Sequence, residues 1–253
     1  MVRMMNDAQE AVNAGRVQSV QRAAALLEAI AEAPEPQTAP DLAERCGLNR
    51  STAWRILATL EDEGLVERDA ATNRYSLGPA VARLTAAGTE AMPRLARPHL
   101  EQLARRTGET VSLAVPRGLQ LVYVNQVEAP HVMAPDWLGR TVPLHATSTG
   151  KALLAWLPSE ELEAVIAQPL PRFTDSTITE LGKLRQEMER VRRRGYAVSR
   201  GELEGGLWGV SAPVLDRRGR PIAVVSVWGA EGRLRAVGLD ELGRATAATA
   251  AAI

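Results

Sequence analysis

A helical run of apolar residues that stops at Gly64 is the feature that most limits how this chain can fold. Within the run the apolar side chains recur at positions i, i+3, i+4 and i+7, which are Ala53, Ile56, Leu57 and Leu60. This spacing is typical of an amphipathic helix that buries one face. Two short strand-like runs follow, at 65–68 and 74–77, on either side of a polar turn. They predict a two-stranded β-wing directly after the helix.

Two further helices are predicted before this one. The first has Ser19 as a candidate N-cap and apolar residues at helical spacing, namely Val20, Ala23, Leu27 and Ile30. A short second helix fits Pro40 to Arg45, because proline suits the first helical position and Gly47 suits the residue after the end. Three helices and a wing predict a winged helix-turn-helix domain at 19–78, after a flexible arm at 1–18.

The remainder of the chain predicts a second domain at 93–253, after a linker helix at 79–92. Its strand-like runs lie at 111–115, 119–127, 209–215 and 220–228, and its helical runs at 93–106, 148–157, 159–167 and 180–194. The tail up to Ile253 is helical by propensity. The predicted fold class is therefore α+β, with an N-terminal winged helix-turn-helix and a C-terminal α/β domain.

Composition excludes several classes of protein. The 30 Lys and Arg residues equal the 30 Asp and Glu residues, so the chain has no bulk positive charge for nucleic acid or membrane. A lone cysteine, Cys46, and three histidines offer little material for a metal site. The chain shows no signal peptide and no run of 18 apolar residues. We therefore expect a soluble, cytoplasmic protein with no membrane contact, no metal and no cofactor.

The exposed face of the third helix carries side chains suited to reading DNA. Ser51 and Arg55 lie opposite the apolar stripe, in the N-terminal turns that would enter a major groove, where arginine can bond guanine. Arginines of the wing would reach phosphates. The residues predicted to contact DNA are Arg22, Thr38, Asn49, Arg50, Ser51, Thr52, Arg55, Arg68 and Arg74.

The alternative interpretation is an ordinary amphipathic helix with a solvated face. Residues 1–80 contain eight arginines and twelve acidic residues, a net charge of −4, whereas a DNA-binding module is usually basic. The N-terminal turns of the third helix, the reading turns that would enter the major groove, contain no acidic residue, however. Because the local distribution of charge matters more than the sum, the pattern favours DNA binding.

Several segments also resemble a known family. SVQRAAALLEAIAE, DLAERCGLNRSTAWRILATLEDEGLVERD and YSLG resemble the winged helix of the IclR (isocitrate lyase regulator) transcription factors. LGRTVPLHATSTGKALLAWLP and GYAVSRGELEGGLWGVSAPVLDRRGRPIAVVSVWG resemble that family's effector-binding domain, a GAF-like α/β sheet. The resemblance implies a regulator that binds operator DNA at one end and a small metabolite at the other. It also implies a homodimer or a dimer of dimers.

The resemblance further implies an effector pocket. The positions matched to this pocket are Met133, Trp137, Leu138, Leu144, Ser148, Thr149, Ser199, Gly209, Ser226 and Trp228. Of these, residue 133 and the segment 137–138 would belong to a lid over the pocket. Strand alternation independently places Ser226 and Trp228 on one face of a strand. Two alternatives stay open, since Thr147 or Ser148 could merely cap a helix and Trp228 could be a core residue. Gly209 departs from the family pattern, which usually has Cys, Ser or Ala there.

The tryptophans favour an aromatic effector. Gly209 is expected to leave room beside Trp228, with Trp208 and Trp137 nearby, and the helix start at Ser148 and Thr149 suits a carboxylate. We therefore predict a phenolic or other aromatic acid, the alternative being a short oxo-acid such as glyoxylate or pyruvate.

A hydrolase is the other alternative, in a different class of protein. In it His131 or His145 would serve Ser211 or Ser226, but no orienting acidic residue stands at a recognisable spacing. We therefore predict no catalytic residues and no enzymatic activity.

Overall fold

The structure is a computed structural model that describes residues 17–128 and 136–253. The chain forms two units, Met1–Glu90 and Ala91–Ile253. The predicted arm at 1–18 lies almost wholly outside the described residues, as does Met133. No helix in the described part of the chain is long and apolar enough to cross a membrane.

The first unit contains three helices and a small antiparallel sheet. The helices are α1 (Gln18–Glu32), α2 (Ala39–Arg45) and α3 (Arg50–Asp62), and the strands are β1 (Gln37–Thr38), β2 (Val66–Arg68) and β3 (Arg74–Leu77), in the order β1-β3-β2. Leu26, Leu42 and Leu57 are completely buried between the helices. Each such leucine contributes about 1.5–3 kcal/mol through burial. The predicted three helices and two-stranded wing are confirmed.

The ends of these helices follow their local sequence, with one exception. Thr38 and Asp41 form a capping box at the start of α2, and Asn49 caps α3. The prediction that Ser19 caps α1 is wrong, because Val17 occupies the N-cap position and provides no side-chain hydrogen bond. Strand β1 was not predicted, since two residues are too few to show a period, and it forms only by pairing with β3.

The second unit contains a five-stranded antiparallel sheet. Its strands are β4 (Thr110–Arg117), β5 (Gln120–Val127), β6 (Ala197–Arg200), β7 (Leu207–Leu215) and β8 (Pro221–Ala230), in the order β5-β4-β8-β7-β6. Its later helices are α5 (Ser148–Leu154), α6 (Ser159–Ile166), α7 (Leu181–Arg194), α8 (Glu231–Val237) and α9 (Leu239–Ala251). Strand β6 was not predicted, although the other strands and the helices lie close to their predicted positions.

One long helix, α4 (Pro79–Thr107), replaces two predicted helices. The predicted linker helix ends at residue 92 and the next predicted helix begins at residue 93. Proline inside a helix removes one backbone hydrogen bond and clashes with the preceding turn. Both Pro93 and Pro98 nevertheless lie inside the helix. The predicted linker helix at 79–92 is thus the first part of a longer element.

Helices cover both faces of the large sheet. On one face Val225 and Val227 of β8 pack with residues 96–104 of α4 and with α9. On the other face Val224 packs with α5 and α7. The predicted alternation of β8 is confirmed, and it directs Ser226 and Trp228 to the α5 side of the sheet.

Candidate functional site

The first turn of α3 is held by its own polar side chains. Asn49 Oδ1 accepts hydrogen bonds from Thr52 N at 2.8 Å and from Ser51 Oγ at 2.9 Å. Asn49 and Ser51, both predicted to contact DNA, therefore also fix the start of the helix. Their amide and hydroxyl groups lie on the exposed side of that turn.

Arginines at the N-terminal half of α3 have no partner inside the first unit. Arg50 and Arg55 are exposed, and neither forms an ion pair or a side-chain hydrogen bond with any residue in the described ranges. Arg22 and Thr52 line one groove with Arg55, between α1 and α3. The structure thus brings these three predicted residues together.

The other predicted DNA-contacting residues have intramolecular partners. Arg68 lies 3.6 Å from Glu61 and donates to Asn73 at 3.4 Å, whereas Arg74 donates to the backbone oxygen of Pro36 at 2.7 Å. Thr38 Oγ1 donates to Asp41 at 2.7 Å. Hydrogen bonding from Thr38 lowers the pKa of Asp41.

A small pocket of about 50 Å³, open to solvent on one side, lies between α5 and the large sheet. Indole rings, aliphatic side chains and hydroxyl groups form its walls, and none of the lining residues that the structure describes is charged. The lining residues are Tyr123, Trp137, Val142, Ala146, Thr147, Ser148, Thr149, Ser199, Leu203, Leu207, Trp208, Gly209 and Trp228.

Strand register aligns the floor of this pocket in two rows across the sheet. One row pairs Ser199 with Gly209 and Gly209 with Trp228. The next row pairs Ser211 with Ser226, and Ser226 with Ser112 of β4. Residues far apart in sequence therefore present hydroxyl groups side by side on one face.

A chain of buried hydroxyl groups connects this floor to the start of α5. Ser211 Oγ lies 2.8 Å from both Ser148 Oγ and Ser226 Oγ. Ser226 Oγ lies 2.8 Å from Thr149 Oγ1, which lies 2.9 Å from Tyr123 OH. Burial raises the pKa of Tyr123 to about 12, against the opposing effect of its hydrogen bond to Thr149. Tyr123 therefore stays protonated at neutral pH.

Glycine permits the close contact between α5 and the sheet. A Cβ at Gly150 would lie 2.2 Å from the backbone oxygen of Leu144, and one at Gly209 would lie 2.8 Å from Ser148 Oγ. Gly209 was expected to leave room beside Trp228, but the Ser148 hydroxyl occupies the adjoining space. Thr147 caps α5 by accepting from Gly150 N at 3.0 Å, which leaves the hydroxyls of Ser148 and Thr149 for other partners.

The structure places six of the ten predicted pocket residues on the pocket wall, namely Trp137, Ser148, Thr149, Ser199, Gly209 and Trp228. Ser226 lies behind Thr149, in the hydroxyl chain. Leu138 is 49% exposed and Leu144 lines a different groove, so neither reaches this wall. Met133 lies outside the described residues.

Several lining residues were not in the predicted set, namely Tyr123, Val142, Ala146, Thr147, Leu203, Leu207 and Trp208. Tyr123 has a signal in the sequence, because it alternates with Leu121 on the buried face of β5. Leu203 and Leu207 have none, since they flank a glycine-containing loop that shows no period.

Guanidinium groups stack on two of the pocket tryptophans. Arg140 lies over Trp137, 6.0 Å from the ring centroid, and Arg200 and Arg235 lie over Trp208 at 5.9 and 5.3 Å. Arg235 also pairs with Glu231 at 2.9 Å, so Arg140 and Arg200 are the cations that add positive charge beside a pocket whose described lining residues are uncharged. Such a field attracts anions toward the pocket.

A buried ion pair ties α5 to the loop after β6. Lys151 Nζ lies 2.6 and 2.7 Å from the two carboxylate oxygens of Glu202, and the Lys151 side chain is 1% exposed. The backbone oxygen of Glu202 also accepts from Thr177 Oγ1 at 2.6 Å. Burial lowers the pKa of Lys151, while the Glu202 carboxylate opposes that shift. The pair fixes the loop that carries Leu203 to the pocket.

In the part of the chain that the structure describes, no histidine is hydrogen-bonded to the buried serines. His145 Nε2 hydrogen-bonds the backbone oxygen of Pro171 at 2.9 Å, and its ring stacks on Phe173. Ser211 and Ser226 bond other hydroxyl groups, and His131 lies outside the described residues. Within residues 17–128 and 136–253 no group of three His, Cys, Asp or Glu side chains could hold a metal ion.

Comparison with known sequences identifies both units. Residues 19–70 match the IclR helix-turn-helix domain, and residues 86–253 match the C-terminal domain of bacterial transcriptional regulators of the IclR type. The chain belongs to the IclR family. It is a DNA-binding transcriptional regulator with a winged helix-turn-helix and an α/β domain, as the resemblance implied.

Individual members of the IclR family are similar to this chain, in sequence or in structure, along nearly its whole length. The glycerol operon regulatory protein of Streptomyces coelicolor is 36% identical over 231 residues, which cover 87% of this chain and 88% of that protein. The crystal structure of Thermotoga maritima IclR is 30% identical, with a TM-score of 0.61, and covers 93% of this chain and 96% of that one. An IclR homologue from Microbacterium hydrocarbonoxydans, complexed with 4-hydroxybenzoate, is 26% identical with a TM-score of 0.55, and covers 93% and 100%.

Replacement of Glu202 by Gln should destabilise the protein by about 3–5 kcal/mol, because it leaves the Lys151 ammonium buried without a counter-charge. The double variant Lys151→Met/Glu202→Leu should recover most of this loss, since it removes both charges. Urea unfolding at pH 7 measures both effects.

Glu163→Gln is the matched control, because Glu163 pairs with Arg185 at 2.6 Å in a geometry exposed to solvent. Its unfolding midpoint should hardly change. Equal midpoints for Glu202→Gln and Glu163→Gln would show that the buried pair contributes no more than a surface pair.

Proposed function

We propose that this chain is a one-component regulator whose operator affinity is controlled by a small aromatic acid. In this proposal residues 19–78 bind DNA, residues 93–253 bind the effector, and 79–92 form the linker helix. The observation that carries it is the pocket beneath α5, where three indole rings lie beside a row of hydroxyl groups. The second support is the pair of exposed, unpartnered arginines on α3, within the described residues.

The DNA-contacting surface is the N-terminal half of α3. Arg55 extends from the side of α3 opposite the completely buried Ala53 and Leu57, and Arg50 is exposed at the first position of the helix. The turns that carry both arginines contain no acidic residue. A reading helix needs this arrangement, since its core side must hold it in place while donors face the base edges. Arg22 and the wing arginines, Arg68 and Arg74, would contact phosphates.

Replacement of Arg55 by Ala should weaken operator binding by about one to two orders of magnitude, since one good base contact contributes about 1–3 kcal/mol. The melting temperature should not fall, because the side chain is exposed. A mobility-shift titration with the full-length protein measures the affinity. Arg45→Ala is the matched control, because Arg45 is also exposed but lies on α2 and pairs with Glu32.

Arg68→Ala should change DNA binding in a different way from Arg55→Ala, because Arg68 is proposed to contact phosphate and Arg55 a base. Loss of a phosphate contact should weaken binding to all sequences alike and lower the slope of log affinity against log salt by about 1.

Unchanged operator affinity in Arg55→Ala would rule out the proposed DNA-contacting surface on α3.

An aromatic acid fits the chemistry of the pocket. The rings of Trp137, Trp208 and Trp228 give the pocket an aromatic surface, and aromatic contact contributes about 0.5–1.5 kcal/mol beyond the burial of area. The hydroxyls of Ser148, Thr149 and Ser199 can bond its carboxylate and ring substituents. The stacked arginines around the pocket favour an anion over a neutral ligand. The crystal structure of an IclR homologue complexed with 4-hydroxybenzoate supports this part of the proposal.

Hydroxybenzoates should quench or shift the tryptophan fluorescence of the protein on titration, whereas pyruvate and glyoxylate should not. Trp228→Ala should lower the affinity for a hydroxybenzoate about two- to tenfold, as loss of stacking requires. Trp156→Phe is the control, because Trp156 is not among the residues that line the pocket. Binding of pyruvate without binding of any hydroxybenzoate would favour the oxo-acid alternative.

The proposed regulator catalyses no reaction. The relatives named above are regulators, and His145 is committed to Pro171 and Phe173 instead of a serine. A hydrolase would instead need a histidine within reach of Ser211 or Ser226. Turnover of ester substrates at a rate that Ser211→Ala abolishes would contradict this part of the proposal.

Self-association completes the proposal, because two half-sites give the affinity that one winged helix lacks. Helix α4 offers a surface for it. Leu84 and Leu95 are 64% and 66% exposed and lie eleven positions apart in the sequence. Val81 and Ala91 complete a 3–4 spacing with them, which is typical of a helix that packs against another helix.

The wild-type chain should therefore form dimers or tetramers in light scattering at micromolar concentration. Leu84→Glu/Leu95→Glu should shift the mass toward the monomer, since charges would enter an apolar contact. Leu215→Glu, on β7, places a charge at another exposed leucine and should leave the mass unchanged. A monomeric wild type would contradict this part of the proposal.

A further inference from the structure

Trp54 is exposed, unlike the other tryptophans of the chain. The sequence contains five tryptophans, and the indole of Trp54 is 61% exposed, whereas the other four are buried or half-buried. Within the described part of the chain no aromatic ring or guanidinium group stacks on it. Exposure of a single apolar side chain is common at a protein surface, so the chemical neighbours of Trp54 decide whether it has a function.

The position of Trp54 places it among the proposed DNA-reading residues. It lies in the second turn of α3, one helical turn after Arg50 and next to Arg55. By helical spacing Arg55 lies opposite buried Ala53 and Leu57, and Trp54 lies between Arg55 and the buried side. Arg50 is exposed at the first position of the helix, one turn before Trp54. The surface therefore combines hydrogen-bond donors with one large apolar group.

Charge decides which partner such a surface fits. Residues 50–57 contain two arginines and no acidic residue, so a second copy of this surface would bring like charges together. DNA supplies the negative charge instead. Within the major groove the apolar feature of the base edges is the C5 methyl group of thymine, which apolar side chains contact.

We propose that Trp54 is a specificity-determining residue that packs against the methyl group of a thymine in the operator. Arg50 and Arg55 then read or anchor the polar groups around that base pair. The inference rests on the proposed DNA-binding surface and adds the base that its apolar part selects. It predicts a preference for thymine that is lost when the indole is removed.

The test uses the full-length chain and an operator selected by it from random sequences. Each thymine of that operator is replaced in turn by deoxyuridine, which removes the methyl group alone. At one position in each half-site the replacement should weaken wild-type binding about fourfold, the loss expected for one methyl group. Trp54→Ala should bind the thymine and deoxyuridine operators equally, and Trp54→Phe should retain part of the preference.

Thr59→Ala is the matched control, because Thr59 is exposed on the same helix but lies beyond the reading turns. It should keep the wild-type response to deoxyuridine at every position. A thymine preference that persists in Trp54→Ala, or wild-type binding that no deoxyuridine weakens, would overturn the inference alone. Failure of the wild type to select any operator would overturn the proposed DNA-binding surface as well. Loss of oligomeric mass in Trp54→Ala without a change in thymine preference would make Trp54 a subunit contact instead.

Discussion

The contact between α5 and the large sheet is the constraint on which the pocket depends. Gly150 lets the first turn of α5 approach the backbone of Leu144, and Gly209 lets the Ser148 hydroxyl lie against β7. The approach buries several hydroxyl groups, whose cost is offset only because each finds another hydroxyl as partner. Lys151 and Glu202 then hold the covering loop to the same helix. Pocket shape, polarity and rigidity thus come from one close contact.

Local patterns in the sequence predicted the elements of both units well, because their signals are periodic. The spacing of Ala53, Leu57 and Leu60 defines α3, and alternation on β8 directs Ser226 and Trp228 to one face. Short elements without a period, such as β1 and β6, form through pairing with strands that lie elsewhere in the chain. The predicted division between the linker helix at 79–92 and the helix at 93–106 is not observed, because α4 continues through Pro93 and Pro98. Packing of residues 96–104 against the large sheet outweighs the local cost of proline.

The buried ion pair that supports the pocket was harder to predict than the position of the pocket. Lys151 and Glu202 stand 51 residues apart, and neither residue type is expected in a buried position. Their pairing follows from strand register and loop geometry, which a single sequence does not show. The net charge of residues 1–80 was similarly a poor guide to DNA binding, because it does not distinguish arginines that have an acidic neighbour from those that do not. Arg50 and Arg55 have no acidic partner in the described structure, whereas Arg68 and Arg45 each have one.

The hydroxyl chain beneath the pocket has a consequence for how protons are arranged there. Ser211 carries a single hydroxyl proton but has two oxygen partners at 2.8 Å, so it donates to Ser148 or to Ser226 at any one time. Each choice fixes the orientation of the next hydroxyl, through Thr149 as far as Tyr123. A ligand that accepts a hydrogen bond from the Ser148 hydroxyl therefore selects one of two directions in which the connected hydroxyl groups donate. The side-chain hydroxyl dipoles on β7, β8 and the edge strand β5 would then reverse, while the backbone would not move.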